Sequence, residues 1–390
     1  MMNIRQAAHD ISDYIISLRR HFHMYPESSL KEFDTSAKIR QELDKLGIKY
    51  KVVCNTGVVA KIEGKAPGKT VLLRADMDAL EVEEKNTHEY VSKNPGKMHA
   101  CGHDGHTSML IGAAKLLNET KDSWSGTVVL CFQPAEEIAE GAKMMIEQGN
   151  VLEGVDGAFG IHLWSDVPVG KISVEAGPRM ASADFYTLTV KGSSGHGSMP
   201  HQTIDPIVAG SAVVMNLQPI VSREMNPLEP VVITVGTFNS GTRFNVIPDK
   251  AVLSGTVRCF NKDIWKDIDK KIERVASNTA AAYRAEIELD YQKKTPPTVN
   301  APEASERARA SVIKILGEDG VYLMEKTSAA EDFAYYADRV PSCFAFVGIR
   351  NDAKEANFPH HHERFQMDED ALEIGTALYV QYALDFLSEA

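Results

Sequence analysis

Apolar positions in the first 180 residues switch repeatedly between helical spacing and short continuous runs. The pattern predicts helices over 7–18, 39–46, 106–117 and 141–147, and strands over 58–62, 70–74, 127–131 and 157–161. Strands that alternate with helices indicate an α/β domain, in which a sheet is layered with helices. Side chains directly after these strands are then expected where α/β proteins usually bind ligands, beyond the carboxyl ends of the strands.

The pattern changes around Gly177-Pro-Arg-Met180. It predicts a strand, a helix, two strands, a helix and a strand, over 184–191, 204–217, 231–235, 251–257, 263–283 and 286–290. This β-α-β-β-α-β order can fold as a compact layer of its own. After Pro296-Pro297, helices over 304–316, 332–337 and 370–387 and a strand over 343–347 are expected to rejoin the first domain. We therefore predict a two-domain α/β protein, with a larger domain at 1–181 and 295–390 and an inserted domain at 182–294.

Composition narrows the class of protein. The length of 390 residues exceeds one ordinary core, and a net charge of −12 argues against nucleic acid or an anionic membrane as partner. The longest apolar run, 207–215, is shorter than the ~20 residues of a membrane span. No signal peptide is visible, and the cysteines are few and odd in number: Cys54, Cys101, Cys131, Cys259 and Cys343. These features predict a cytoplasmic protein in a reducing compartment.

Four potential metal ligands lie close together in the segment His99-Ala-Cys-Gly-His-Asp-Gly-His106. A thiolate and imidazoles are ligand types that zinc and similar borderline ions accept, and the two glycines allow a loop to curl around an ion. Not all four can bind one ion, and the alternate spacing favours Cys101 with His103, while Asp104 could anchor the loop. The alternative is a polar turn that precedes a helix.

Further candidates follow other predicted strands. Glu136-Glu137 comes shortly after the apolar run that ends at Phe132, and His162 closes the run that begins near residue 157. A carboxylate beside a ligating carboxylate is what metal-assisted hydrolysis needs as a base. The alternatives are a solvated helix start for the glutamates and a core position for the histidine.

Two more groups of residues could contribute to a metal site. Asp76 and Asp78 end another strand. They could bind metal directly, or they could hydrogen-bond the ring nitrogen of a ligand histidine that does not face the metal. The run His360-His361-His362 precedes an acidic helix start. Its internal position argues against a purification tag.

Taken together, these motifs resemble one protein family over nearly the whole chain. The matching segments are 18–27, 74–78, 99–104, 133–137, 160–162, 195–197, 245–248 and 331–333. The chain resembles the amidohydrolase branch of the aminoacylase/carboxypeptidase metallohydrolase superfamily. That branch includes hippurate hydrolases, auxin-conjugate hydrolases and N-acyl-amino-acid deacylases.

The resemblance implies a dinuclear metal centre. The ligand positions implied for two divalent ions are Cys101, His103, Glu137, His162 and His361. Zinc or manganese would be the first choices, and cobalt or nickel would also suit these ligands. Glu136 is implied as the general base, and Asp78 as a partner of a ligand histidine behind the metals. Asp76 is not implied as a ligand.

The last ligand position departs from the family pattern. The usual proline after the ligand is missing in His361-His362-Glu363. We prefer His361 because Arg364-Phe365 then matches the basic-aromatic continuation of the family.

For the inserted domain, the resemblance implies a lid and a dimerisation surface. His196 would stabilise the oxyanion of the tetrahedral intermediate in the active site of a partner subunit, which predicts a homodimer. Asn245 and Arg258 match positions that hold the carboxylate and carbonyl oxygen of the substrate. The alternative for His196 is a simple turn residue among nearby glycines.

These observations predict metal-dependent hydrolysis of the amide bond in N-acyl-L-amino acids. A dipeptidase or carboxypeptidase with the same dinuclear site is the first alternative. A metal-binding or dimer-forming protein without catalytic activity is the second. Glu136 argues against it, because such a protein has no need of an extra carboxylate beside the metals.

Overall fold

The computed structural model describes residues 3–389, which form two compact units. The first unit contains the residues up to Arg179, Val299–Glu325 and the residues from Asp332 onward. The second contains Met180–Thr298 and the short segment Lys326–Glu331. The insertion expected at 182–294 therefore lies inside the second unit, which also includes a later segment that the hydrophobic pattern does not predict.

The helices and strands are numbered in chain order. The helices are α1 (Ile4–Asp10), α2 (Ser12–Met24), α3 (Phe33–Lys45), α4 (His103–Glu119), α5 (Gly141–Glu147), α6 (Pro206–Pro219), α7 (Lys262–Ala282), α8 (Pro302–Leu316), α9 (Ala334–Ala337) and α10 (Asp370–Ser388). The strands are β1 (Tyr50–Val53), β2 (Gly57–Glu63), β3 (Thr70–Asp76), β4 (Thr127–Gln133), β5 (Gly157–Pro168), β6 (Ile172–Ser173), β7 (Gly177–Met180), β8 (Ala183–Lys191), β9 (Gly195–His196), β10 (Val231–Ser240), β11 (Val246–Ile247), β12 (Lys250–Cys259), β13 (Glu286–Thr295), β14 (Thr298–Asn300) and β15 (Ser342–Arg350).

A seven-stranded mixed sheet forms the centre of the first unit. Its strand order is β1-β2-β4-β3-β5-β15-β6. The four middle strands, β4, β3, β5 and β15, are parallel, and the outer pairs are antiparallel. The predicted α/β class is confirmed.

Both faces of this sheet are covered, as strand β4 illustrates. Val128, Leu130 and Phe132 belong to the large apolar core that includes residues of α4 and α10. Cys131 points to the opposite face, where its Sγ lies 3.6 Å from the hydroxyl of Tyr336 in α9. Burial on both faces explains why the central strands are continuous apolar runs without alternation.

The register of the parallel strands brings their carboxyl ends together. Asp76, the last residue of β3, pairs with Gln133, the last residue of β4. Strand β5 was expected to end at Ile161, but it continues to Pro168 because it stays paired with β15. His162 therefore lies within a strand and is held by the sheet itself.

Three helices differ clearly from the sequence-based prediction, and one of them, α3, begins at Phe33 instead of residue 39. The single helix expected over 7–18 is two helices, which are separated at Ile11. The helix expected over 332–337 is only the four-residue α9, and Asp332 and Phe333 precede it.

The second unit contains a four-stranded antiparallel sheet with the order β10-β12-β8-β13. Helices α6 and α7 contact each other and strands of this sheet. The predicted β-α-β-β-α-β order is present, and a two-stranded ribbon of β9 and β11 is added to it. Helix α6 begins where the carboxylate of Asp205 accepts hydrogen bonds from the backbone of Ile207 and Val208.

Within residues 3–389, no helix combines the length and the apolar character needed to span a membrane.

Candidate active site

The loop before α4 presents the first two candidate ligands. Cys101 is buried, and the next residue, Gly102, has φ +88°, a left-handed conformation that glycine adopts without a steric cost. Helix α4 begins directly afterwards at His103. This tight turn places the thiol of Cys101 and the imidazole of His103 in one cluster.

The predicted ligand residues lie close together. Three overlapping groups have ligand atoms that are all within 4.8 Å of one another: Cys101, His103 and His162; Cys101, Glu137 and His361; and His103, Glu136 and Glu137. The sulfur of Cys101 lies 3.6 Å from Nε2 of His162. Five ligand positions and the candidate base, which are far apart in sequence, therefore converge at the carboxyl ends of the parallel strands.

His103 is oriented by a hydrogen bond to Asp78, which lies just after β3. Its Nδ1 donates a hydrogen bond to the carbonyl oxygen of Asp78 at 2.9 Å, which leaves Nε2 directed at Glu137, 3.8 Å from Oε1. Nε2 is buried and makes no hydrogen bond within residues 3–389. A buried nitrogen of this kind is unusual in proteins, and a metal ion would satisfy it.

His162 has the same arrangement. Its Nδ1 donates to the carbonyl oxygen of Leu163 at 2.7 Å, so that Nε2 faces Cys101. Burial and the nearby ring of His106 lower the pKa of His162 well below its usual value. The ring is therefore neutral at pH 7 and offers a lone pair at Nε2, as a metal ligand must.

The turn that carries the two glutamates is held by the carboxylate of Asp78. Oδ1 accepts a hydrogen bond from the backbone nitrogen of Glu136 at 3.0 Å, and Oδ2 accepts one from that of Glu137 at 3.1 Å. The hydroxyl of Ser29 donates to Oδ2 at 2.6 Å. The glutamates thus lie in a turn before α5, not on the exposed helix start that was the alternative reading.

Glu32 supports the same turn and was missed by the sequence analysis. It is fully buried, and its carboxylate accepts hydrogen bonds from the backbone nitrogen of Ala135 at 3.0 Å and from the hydroxyl of Thr56 at 2.8 Å. Ala135 and Ala139 both have a positive φ, +57° and +56°. Such conformations are costly for alanine, and the surrounding hydrogen bonds hold them in place.

A buried ion-pair layer lies beneath the cluster. Arg74 forms ion pairs with Asp76 and Asp332 and donates to the side chain of Gln133 at 2.9 Å. Although burial opposes ionisation, Arg74 holds the pKa of Asp76 well below its usual value. Asp76 also accepts a hydrogen bond from His106. Asp76 therefore already has two close partners, in agreement with its exclusion from the expected ligands.

His361 approaches the cluster from a separate loop. Its backbone has φ +65°, and its nitrogen donates to the carbonyl oxygen of Ala100 at 2.8 Å. Its Nε2 lies 3.7 Å from Oε2 of Glu137, and its side chain is 55% exposed. This loop therefore places a histidine on the open side of the cluster.

The two histidines that flank His361 have other contacts. His360 bonds to the carbonyl oxygen of Leu163 at 2.9 Å and to the hydroxyl of Ser165 at 3.1 Å. The ring of His362 stacks on Phe358, with centroids 4.8 Å apart. Of the three adjacent histidines, His361 therefore has the geometry expected of the ligand.

The donor set fits divalent metal ions. Burial and the nearby carboxylate of Glu137 raise the pKa of Cys101 well above its usual value, so the thiol keeps its proton in the absence of an ion. A coordinated divalent ion reverses this preference, because its charge stabilises the thiolate. Thiolate, imidazole and carboxylate groups are the ligands that zinc and similar ions accept.

The other predicted site residues belong to the second unit. His196 in β9 pairs with Val246 in β11, and the carbonyl oxygen of Asn245 accepts a hydrogen bond from Gly197 at 2.9 Å. Asn245 therefore lies next to His196, directly before β11. Arg258 lies on β12 of the four-stranded sheet, where it donates to the hydroxyl of Thr256.

The exposed ring of His196 has one defined orientation. Its Nδ1 accepts a hydrogen bond from the backbone nitrogen of Ser198 at 3.1 Å and lies 2.8 Å from the hydroxyl of the same residue. Because Nδ1 accepts a backbone N–H, the neutral ring carries its proton on Nε2. His196 therefore presents an N–H donor to solvent.

Comparison with known proteins agrees with this geometry. Residues 72–385 match the model of peptidase family M20/M25/M40. The chain belongs to this family.

Its relatives include hydrolases with different names. It is 41% identical to thermostable carboxypeptidase 1 of Saccharolobus solfataricus over an alignment of 389 positions, which covers 98% of each chain. It is 41% identical to IAA-amino acid hydrolase ILR1-like 4 of Arabidopsis thaliana over 97% of this chain and 87% of the relative. A Bacillus subtilis protein, described as a dinuclear metal-binding peptidase of the M20 family, has a crystal structure with TM-score 0.85 and 35% identity, covering 98% and 99% of the two chains.

The family and the ligand cluster together define the class of enzyme. This protein is a metal-dependent amidohydrolase or peptidase of the M20 family, and the predicted class is confirmed.

The role of Asp78 in the turn leads to a prediction. In Asp78→Asn, one carboxylate oxygen becomes an amide NH₂, which cannot accept the backbone N–H of Glu136 or Glu137. We expect metal affinity or activity to fall by about 10- to 100-fold, as for other residues that orient ligands. Competition with a chelator and steady-state kinetics would measure the two effects.

The matched control is Asp166→Asn, at an exposed position near the end of β5. It should leave both quantities unchanged. Wild-type metal affinity and activity in Asp78→Asn would contradict the positioning role.

Proposed function

We propose that this enzyme hydrolyses the amide bond of N-acyl-L-amino acids, releasing a carboxylate and a free amino acid. The main support is the carboxylate of Glu136 beside a cluster that contains a thiol, three imidazoles and a second carboxylate. The Arabidopsis relative is named an IAA-amino acid hydrolase. Its 41% identity over 97% of this chain supports a similar substrate class here.

Two divalent ions would be held by Cys101, His103, Glu137, His162 and His361. When bound, such ions polarise the substrate carbonyl and lower the pKa of a coordinated water towards about 7. The thiol favours zinc, whereas the carboxylate and imidazole ligands also suit manganese, cobalt or nickel. Glu137 faces His103 through one carboxylate oxygen and His361 through the other. These contacts support a position for Glu137 at the centre of the proposed ligand set.

Glu136 would act as the general base. Its backbone is fixed by Asp78, so its carboxylate is held beside the cluster at the end of β4. In this position it would take a proton from the attacking water and deliver it to the nitrogen of the leaving amino acid. Its neighbour Glu137 differs in role because its two oxygens face ligand histidines.

Glu136→Gln tests this assignment. The amide cannot accept the proton, so we expect kcat to fall by about 100- to 10,000-fold. The metal content should stay at the wild-type value, because Glu136 is not among the proposed ligands. Plasma mass spectrometry and initial-rate kinetics on the same preparation would measure both quantities.

Loss of metal together with activity would contradict the role of Glu136 as base and would make it a ligand. Undiminished turnover would contradict the role outright.

The substrate would be held by residues of the second unit. A guanidinium fork suits a carboxylate, and Arg258 and Asn245 would hold the free carboxylate and the carbonyl oxygen. The Nε2–H of His196 would donate to the oxyanion, a contribution typically worth about 3–4 kcal/mol for one donor. The exposure of His196 suits a donor that acts on a bound substrate.

We further propose a homodimer in which His196 serves the partner's active site. Strand β10 is an edge strand, and edges are available for pairing with another chain. Val232 on β10 and Val208 and Met215 on α6 are exposed apolar side chains of the same unit, at 49%, 50% and 68%. These features support an interface formed by the second unit.

Mixing two inactive variants tests this arrangement. Glu136→Gln and His196→Ala should each be inactive, but a heterodimer would combine an intact Glu136 with an intact His196 in one of its two sites. After unfolding and refolding together in equal amounts, statistical pairing should restore about a quarter of wild-type activity. No recovery in a mixture that refolds to dimers would contradict action across the interface.

A carboxypeptidase or dipeptidase is the second candidate function. The support is the Saccharolobus relative, which is named a carboxypeptidase and is 41% identical over 98% of each chain. Both functions use the same metal centre, and they differ in whether the substrate has a free α-amino group.

A panel of substrates distinguishes the two functions. N-acetyl, N-benzoyl and N-succinyl amino acids and dipeptides would be tested with metal-stripped protein and after addition of zinc, manganese or cobalt. We expect amino-acid release from the acylated compounds only after metal is restored. A preference for dipeptides would replace the proposal with a peptidase, and release without metal would contradict the metal-dependent mechanism.

A further inference from the structure

A second cluster of potential ligands lies in the first unit, outside the site described above. His23 is in the last turn of α2, and Glu84 and His88 lie in the irregular segment between β3 and α4. One nitrogen of each histidine and one oxygen of the glutamate are all within 4.8 Å of one another. None of these residues contributes to the proposed reaction.

We propose that His23, Glu84 and His88 form a further divalent-cation site, suited to zinc or a similar borderline ion. Two imidazoles and one carboxylate are a ligand set that zinc accepts, with water in the remaining position. The site is independent of the proposed substrate and of the ions at Cys101.

The distances from Glu84 to the two histidines match a coordination shell. Oε1 of Glu84 lies 3.1 Å from Nε2 of His23 and 3.4 Å from Nε2 of His88. Ligands that bind zinc tetrahedrally at 2.0–2.1 Å are separated from one another by about 3.3 Å. Glu84 is therefore already spaced from each histidine as in a zinc site, and the two histidine nitrogens lie within 4.8 Å of each other.

His23 is oriented as metal-binding histidines usually are. Its Nδ1 lies 2.8 Å from Oδ2 of the buried Asp104, and its Nε2 points at Glu84. A carboxylate on the far nitrogen of a ligand histidine fixes the ring and makes the near nitrogen a better donor. Arg19 pairs with the same Asp104 oxygen at 2.9 Å and with Glu369 at 3.2 Å, so its positive charge is balanced.

His88 provides an independent observation. Both of its ring nitrogens are buried, and within residues 3–389 neither has a hydrogen-bond partner. Its ring stacks on Tyr90 with centroids 3.8 Å apart, which fixes its position. An unsatisfied buried imidazole is costly, and an ion bound at Nε2 would remove half of this cost.

The charge state of the donors suits a cation. Burial lowers the pKa of His88 to about 4, so its ring is neutral at pH 7. Burial opposes ionisation of Glu84, but its hydrogen bond with His23 helps to lower its pKa to about 2. Its other oxygen accepts a hydrogen bond from the backbone nitrogen of Ser92 at 2.6 Å. The carboxylate is therefore ionised and held in place.

The competing occupant is a proton. A protonated His23 would bridge Asp104 and Glu84 without any ion. Burial acts to lower the pKa of His23, but the hydrogen bonds to both carboxylates outweigh burial and raise that pKa. The proton leaves His88 unsatisfied, whereas a metal ion engages both histidines. The two occupants therefore differ in whether His88 is required.

Metal content of His88→Phe tests the site. Phenylalanine keeps a ring to stack on Tyr90 but has no donor nitrogen. Full-length protein without a histidine tag would be equilibrated with zinc, freed of excess and analysed by plasma mass spectrometry. We expect the variant to hold one zinc ion per chain fewer than the wild type, with unchanged kcat, because His88 is not part of the active site.

Anomalous diffraction at the zinc edge on wild-type crystals gives a second readout that does not need the variant to fold. A peak bounded by His23, Glu84 and His88 is expected, and Cys101→Ser should alter the peaks at the catalytic cluster while leaving this one. His201→Asn, at an exposed position of the second unit, is the matched control for zinc content. No peak at His23 in zinc-equilibrated crystals, or equal zinc content in wild type and His88→Phe, would overturn the proposal and leave a protonated His23.

Discussion

The carboxylate of Asp78 joins the separate pieces of chain that make up the active site. It accepts hydrogen bonds from the backbone of Glu136 and Glu137 and from the hydroxyl of Ser29. The backbone carbonyl oxygen of the same residue orients His103. One residue just beyond the end of β3 therefore sets the position of the proposed base, of a proposed carboxylate ligand and of an imidazole. Because an ionised carboxylate makes strong hydrogen bonds to backbone N–H groups, this arrangement is rigid before any ion or substrate arrives.

That rigidity depends in turn on the sheet below. Parallel pairing puts Asp76 level with Gln133, and Arg74 links both residues to Asp332. Ionised groups at this depth are tolerated only because each one is paired and hydrogen-bonded. The sheet register and the buried ion pairs thus fix the carboxyl ends of β3 and β4. They thereby fix the positions of the candidate ligands in the loops that follow.

The sequence predicts the parts of this site that depend on local order. Cys101 and His103 follow from their spacing, and Glu136 and His162 from their place after apolar runs. The sequence does not reveal Glu32, because its contact with Ala135 joins residues that are distant along the chain. The expected helix over 332–337 is shortened for a similar reason. Asp332 accepts hydrogen bonds from Gln133 and from the backbone of Ala142, and these tertiary contacts override local helix propensity.

His103 and His23 show how one arrangement can serve two purposes. In each, Nδ1 faces an oxygen acceptor and Nε2 faces a carboxylate, but the separation is 3.8 Å at Glu137 and 3.1 Å at Glu84. Each pair therefore offers a ring nitrogen and a carboxylate oxygen to a cation. Asp104, next to His103 in sequence, also holds His23. The start of the helix that carries the proposed ligand His103 therefore also contacts the second cluster, through the carboxylate of Asp104.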